Sequence, residues 1–158
     1  AEYLQTGIQN NIINGYQDGL MRPNQTVTNG EFAKLLANTL QLEIKQSSSN
    51  HWSKPFMEAL TQFGLEIDTN PNQVLTRRQV IDLTVKAYDL IPEVSSSITY
   101  ADLPDDINYQ ESFINPLTNL GVLKGYQEAS AKPLLKLDQQ VTRIEALKII
   151  LLTNNKCQ

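Results

Sequence analysis

Arg77 and Arg143 are the side chains of this sequence best placed to hold a charged ligand. Each follows a threonine, in Thr76-Arg77-Arg78-Gln79 and Thr142-Arg143-Ile144-Glu145, and so occupies the first position of an expected helix. A helix N-terminus carries unpaired N–H groups and positive potential, and it therefore attracts anions. The same potential disfavours a cation there by roughly 0.3–1 kcal/mol. An arginine at that point gains a purpose if a carboxylate or phosphate is gripped by both the side chain and the helix end. The bland alternative is a solvated arginine tethered to a neighbouring acid. A third string, Thr28-Asn29-Gly30-Glu31, carries Asn29 at the corresponding place.

The flanking residues need no ligand. In Thr-x-x-Glu/Gln the Thr oxygen accepts from the N–H three residues on, and the Glu or Gln reaches back to the Thr N–H. Thr28 with Glu31, Thr76 with Gln79, and Thr142 with Glu145 therefore read as structural caps.

Trp52, the single tryptophan, follows His51 and lies two residues before Lys54. Its ring suits the C–H face of a sugar, and the lysine suits an anionic substituent. Equally, a tryptophan there packs half-buried at a seam. Gly15-Tyr16 and Gly125-Tyr126 each set a turn beside a hydroxyl free to meet a sugar. Asn14, Tyr16, Asp18 and Gly19 mimic the start of a calcium loop, but Gln25 stands where its acidic ligand must be. Asp18 and Gly19 therefore read as a turn, and no metal site is expected. Asp102, Asp105 and Asp106 could supply the carboxylate pair of a glycosidase, yet beside Pro104 they read as a solvated turn. His51 has no Ser or Cys nucleophile motif with it, so no enzyme activity and no cofactor is expected.

Helices must position these groups. After each box, apolar residues recur at helical spacing: Phe32, Leu35, Leu36, Thr39, Leu40; then Val80, Leu83, Thr84, Ala87, Tyr88; then Ala146, Ile149, Ile150, Thr153. The first two runs are expected to end in the Ser-rich breaks Ser47-Ser48-Ser49 and Ser95-Ser96-Ser97. A shorter helical run precedes each box, with Tyr3-Leu4, Phe56-Met57 and Phe113-Ile114 in equivalent places. The second copy has lost the Gly-Tyr pair and has the shortest loop; the third carries extra residues around Ala129 to Pro133. The chain thus divides into helix–loop–helix units at 1–46, 47–97 and 98–158, none able to bury its own apolar face alone. The fold class is mainly α.

Composition narrows the function. The chain has 158 residues and a net charge of −4, with a pI near 5.0, which argues against a nucleic-acid binder. No apolar stretch approaches the ~20 residues of a membrane-spanning helix. The single Cys157 excludes an internal disulfide and lies in a polar tail expected to fray.

Gly15-Tyr16-Gln17-Asp18-Gly19-Leu20-Met21-Arg22-Pro23-Asn24, followed by Val27-Thr28 and Glu31-Phe32-Ala33-Lys34-Leu35-Leu36, resembles an S-layer homology (SLH) repeat. Gly125-Tyr126 and Val141-Thr142-Arg143-Ile144-Glu145 repeat the likeness, Tyr100-Ala101-Asp102-Leu103-Pro104 resembles the opening of the third copy, and the second copy is more divergent. The resemblance implies three tandem repeats forming one compact pseudo-threefold helical bundle, the first without its usual leading segment. It implies a secreted protein at a bacterial cell surface or wall, or on the periplasmic side of the outer membrane in a diderm. There the module would anchor a fused or associated surface protein, without membrane insertion. Its partner would be an anionic cell-wall polysaccharide, pyruvylated in the better-understood members, held in grooves between repeats. The implied glycan-binding residues are Arg77 and Arg143, with Asn29, Trp52, Lys54, Gly15, Tyr16, Gly125 and Tyr126 nearby. The alternative is a structural or protein-interaction module whose glycan sites have decayed. A helix-turn-helix DNA reader ranks third, opposed by the acidic balance.

Overall fold

The computed structural model describes residues 2–16, 18–47, 51–129 and 131–158. The helices are α1 (Glu2–Gln9), α2 (Asn29–Thr39), α3 (Lys54–Phe63), α4 (Arg77–Ala87), α5 (Ile107–Tyr109), α6 (Asn115–Asn119) and α7 (Arg143–Lys156). A π-helical turn, Gln110–Ile114, joins α5 to α6. The fold is mainly helical, as expected, and no strand longer than an isolated bridge occurs among the described residues.

Helix α7 is the centre of the bundle and packs against α1, α2 and α4. Its buried residues include Ala146, Leu147, Ile149, Ile150, Leu151 and Thr153, more than one face of a surface helix would supply. Around it, Phe32, Leu36, Leu60, Ile81, Ile114 and Leu117 close a single apolar cluster. Helix α1 approaches α7 at Gly7, where an added Cβ would lie 2.9 Å from Leu147 and 2.8 Å from Ile13.

Short extended segments before the capped helices tie the bundle together. Val27 N–H donates to the Val141 carbonyl (2.8 Å), Val141 N–H to Leu75 (3.1 Å), and Leu75 N–H to Val27 (3.1 Å). These apolar residues are buried, and the hydrogen bonds form a closed ring. Just outside it, the first N–H of each capped helix donates to a neighbouring loop: Asn29 to Gln73 (2.7 Å), Arg77 to Gln139 (2.9 Å), Arg143 to Gln25 (2.8 Å). The second N–H does likewise, Gly30 to Pro71, Arg78 to Leu137 and Ile144 to Pro23, each at 2.9 Å. Helix N-termini must satisfy their orphan donors, and here neighbouring loop carbonyls do it. The expectation that these donors remain open to an anion is therefore corrected.

The capping boxes at Thr28 and Thr76 are complete. At Thr142 the hydroxyl accepts from Glu145 N–H, but the Glu145 carboxylate takes the Thr142 hydroxyl rather than the Thr142 N–H. Both amphipathic runs end well before the serines. Helices α2 and α4 stop where Gln41 (φ +56°) and Asp89 (φ +49°) turn left-handed. Leu42 N–H then returns to Ala37 and Leu90 N–H to Val85, each at 3.1 Å, closing Schellman caps. Ser48 and Ser49 lie outside the described residues, as do Gln17 and Ser130, while Ser95 belongs to a loop.

Two further expectations change. The tail is not frayed: α7 continues to Lys156 because Thr153 is buried and Asn154 accepts a hydrogen bond from the Tyr88 hydroxyl (3.0 Å). The Asp102 to Asp106 segment is more than a solvated turn. Asp102 accepts from the N–H groups of Leu135 (2.7 Å) and Lys136 (2.9 Å), and Asp106 caps α5 through Tyr109 N–H (3.2 Å).

Candidate functional site

The capping threonines bring both arginines to the start of a helix, but each side chain turns inward across a seam. Arg143 is only 6% exposed, and its guanidinium carbon sits 4.7 Å above the Tyr16 ring. It donates from Nη1 to the Met21 carbonyl and from Nη2 to the Asn14 carbonyl (3.4 Å). Its Nε lies 3.1 Å from Glu31 Oε2, but the N–H is not aimed along that line, so the contact is an ion pair without a hydrogen bond. Tyr16 donates its hydroxyl to the same Glu31 oxygen at 2.5 Å. Burial foremost, and then that hydrogen bond, pushes the Tyr16 hydroxyl above its ordinary pKa.

Arg77 repeats the arrangement one seam further round. It too is 6% exposed, with its guanidinium carbon 4.7 Å from the Tyr126 ring centroid. Its Nε donates to the Leu135 carbonyl and its Nη1 to the Tyr126 hydroxyl, both at 2.8 Å, and Nη1 lies 3.3 Å from Glu145 Oε2. Tyr126 donates to that carboxylate oxygen at 2.6 Å, and burial, then Glu145, raises its pKa to about 12. The outer glutamates of the boxes thus do more than cap, because one carboxylate oxygen of each takes a Tyr hydroxyl and faces an Arg.

The Arg143 seam opens into a groove of about 840 Å3. Gly15, Tyr16, Arg143 and Trp52 meet there, together with Lys34, Arg22 and Asn72. Trp52 is 52% exposed at the mouth. The turn carrying it is set by His51, whose Nδ1 is 2.7 Å from Ser53 Oγ, and by Ser53 packing against Gly30. Lys34 Nζ stands 5.9 Å from the Trp52 ring centroid and 5.7 Å from that of Phe56. Burial, reinforced by Arg143, lowers its pKa. The Arg22 guanidinium carbon lies 4.1 Å from the Tyr16 ring centroid, its charge answered by Asp18. Asp18 also accepts from Leu20 N–H (3.0 Å), so its carboxylate is spent on the turn.

Residues 1–33 match the S-layer homology domain. The likeness to the SLH family thus lies in the first 33 residues of the chain. An uncharacterized cell wall amidase of Bacillus anthracis is 27% identical over 91% of this chain and 28% of its own length. An S-layer protein of Bacillus thuringiensis subsp. finitimus is 25% identical over 94% of this chain and 19% of its own. A cellulosome-anchoring protein of Acetivibrio thermocellus is 23% identical over 92% of this chain and 36% of its own. The chain therefore spans under a third of the first two of these relatives and little more than a third of the other. No helix among the described residues is long and apolar enough to cross a membrane.

Not every residue drawn from the SLH resemblance reaches the groove. Asn29 is buried, with its side-chain amide donating to the carbonyls of Asp68 (2.5 Å) and Asn70 (3.3 Å). Lys54 begins α3 and does not line the groove. Gly125, at φ +73°, lets the backbone pass Tyr100 and Pro133, and Tyr126 belongs to the second Arg–Tyr–Glu cluster. Lys34, Arg22 and Glu31 Oε2 are the groove groups that sequence reading did not assign to a ligand. The sequence alone carried no signal for Lys34, whose aromatic neighbours come from the packing of α2 on α3. Lys34 lies six residues after Thr28, on the α2 side that faces α3.

Proposed function

We propose that this SLH chain is a non-catalytic cell-surface anchoring module that holds a larger surface protein to an anionic wall polysaccharide. The observation that carries the reading is the Arg143 seam. One groove joins a half-exposed Trp52, suited to the face of a sugar ring, to the cations Lys34 and Arg22. The names of the relatives, a cell wall amidase, an S-layer protein and a cellulosome-anchoring protein, support a surface setting. In this reading the chain divides into units 1–46, 47–97 and 98–158, and the ligand lies where the third unit meets the first. Location outside the cell, the pyruvylated character of the glycan and attachment to cargo belong to the same proposal.

Co-sedimentation with purified bacterial cell walls tests it. The chain should pellet with walls, Trp52→Ala should remain soluble, and stripping acidic substituents from the walls should release the wild type. A Trp52→Ala variant that pellets like the wild type, with unchanged helical circular dichroism, refutes the assignment of the groove. A second reading, an interaction module with decayed glycan sites, draws on Asn29, which ties its helix to Asp68 and Asn70 instead of presenting a charge.

A further inference from the structure

The sequence holds two Asn-Gly pairs, Asn14-Gly15 and Asn29-Gly30. An asparagine before glycine is prone to cyclise, because no glycine side chain hinders the peptide nitrogen from reaching the asparagine Cγ. The fold sets the two pairs in opposite surroundings. Asn29 is 2% exposed, and its amide donates to the carbonyls of Asp68 (2.5 Å) and Asn70 (3.3 Å). Gly30 N–H donates to the Pro71 carbonyl at 2.9 Å, so the nitrogen that would attack is held as a donor. Helix α2 fixes the backbone of both residues.

Asn14 and Gly15 are exposed, in a segment that is neither helix nor strand. Among the described residues no acceptor takes the Gly15 N–H, and no partner holds the Asn14 side-chain amide. Cyclisation requires the Gly15 nitrogen to give up its proton. The resulting negative charge spreads through the peptide unit onto the Asn14 carbonyl oxygen. Arg143 Nη2 donates to that same oxygen at 3.4 Å. A guanidinium only 6% exposed, fixed beside an oxygen where charge develops, favours the anion.

We propose that Asn14 is a spontaneous modification site, which loses its amide to become isoaspartate or aspartate, and that Arg143 promotes the step. The Gly15 nitrogen passes its proton to solvent and bonds to Asn14 Cγ. The Cγ–Nδ2 bond breaks, ammonia leaves, and a succinimide remains. Water then opens the ring: attack at the former main-chain carbonyl gives isoaspartate, and attack at Cγ gives aspartate. Nothing is oxidised or reduced. In isoaspartate the main chain gains one carbon, and a free carboxylate stands beside Arg143 where the Asn14 carbonyl had been. Asn14 lines the groove, in which Arg22, Lys34 and Arg143 face Asp18 and Glu31, so the new charge cancels the one in excess. On the anchoring reading above, an anionic wall polymer is then held less well as the chain ages. The modification itself does not depend on that reading.

The test is incubation of the folded chain in mildly alkaline buffer, followed by tandem mass spectrometry that assigns mass gains by residue. Asn14 should gain one dalton, and part of the product should accept a methyl group from an isoaspartyl methyltransferase, while Asn29 stays unchanged. In urea both asparagines should convert. Asn14 should convert at least as fast in the folded chain as in urea, where Arg143 no longer reaches its carbonyl. No gain at Asn14, or an equal gain at Asn29 in the folded chain, overturns the site; slower conversion of Asn14 when folded than in urea overturns the part given to Arg143. Aged wild type should pellet with walls less than fresh. Asn14→Gln, whose longer side chain closes far more slowly, should pellet alike fresh and aged. If Asn14 converts yet the aged chain pellets like the fresh one, the loss of hold is wrong and the modification stands. If the fresh chain does not pellet, the anchoring reading fails and the masses still decide the site.

Discussion

Replacing Arg77 by methionine measures what the buried guanidinium does for the bundle. The change strips a donor from the Leu135 carbonyl (2.8 Å), from the Tyr126 hydroxyl (2.8 Å) and from Glu145 Oε2 (3.3 Å). Breaking a fully buried ion pair costs about 3–5 kcal/mol. Glu145 is less extreme, because its side chain is 34% exposed and keeps the Tyr126 and Thr142 hydroxyls. Solvent screening of the pair, and the methionine stem left behind, bring the expected loss to about 2–3 kcal/mol. For a domain of this size that corresponds to a fall in Tm of about 5–10 °C. Equilibrium urea unfolding followed by far-ultraviolet circular dichroism should show a lower midpoint with an unchanged slope. The neighbouring Arg78→Met is the control. Its partner Asp138 is 87% exposed, and it should cost no more than about 1 kcal/mol. Equal losses for Arg77→Met and Arg78→Met would refute the view that Arg77 fastens the seam.

The Tyr126 hydroxyl gives a pH signature. Its pKa is raised from 10.0 to about 12 in the folded chain, so the stabilisation is complete below the unfolded value and is lost as pH climbs through the folded one. Tyr126→Phe should therefore unfold at lower urea than the wild type at pH 8, with the gap narrowing between pH 10 and 12; a gap constant with pH contradicts this. Gly125→Ala demands both φ +73° and a Cβ 2.8 Å from Pro133, and should lower stability by about 2 kcal/mol or more by thermal melting.

The helices and their starts were legible because Thr-x-x-Glu/Gln is a local chemical device and its apolar repeats are local too. The helix ends were not. Gln41 and Asp89 adopt the left-handed conformation that glycine usually marks, so the stops carried no glycine to read. The role of Asp106 as a cap was hidden in what looked like a plain acidic loop. For the candidate site, the helix-start position singled out the arginines and the resemblance to SLH repeats supplied the aromatic and glycine residues; of that set Gly15, Tyr16, Trp52 and Arg143 converge. What a linear pattern cannot carry is the direction of a long side chain. Arg77 and Arg143 begin their helices as read, yet each reaches across a seam to partners 68 and more than 100 residues away, Glu145 and Glu31. Lys34 went unassigned for the same reason, since its neighbour Trp52 meets it only through the packing of α2 on α3.

The ring of hydrogen bonds among Val27, Leu75 and Val141 also sets a rule for assembly. Each member both gives and receives, so any chain holding only two of the segments leaves one N–H and one carbonyl stranded in an apolar centre. Stability cannot then accumulate piece by piece along the chain, as it does in a linear solenoid. A polypeptide emerging from its N-terminus onward must wait for residue 141, over a hundred positions after the first partner, before the lock can close. Until then the Val27 N–H and the Leu75 carbonyl lack their partners, and the last segment is the keystone of the ring.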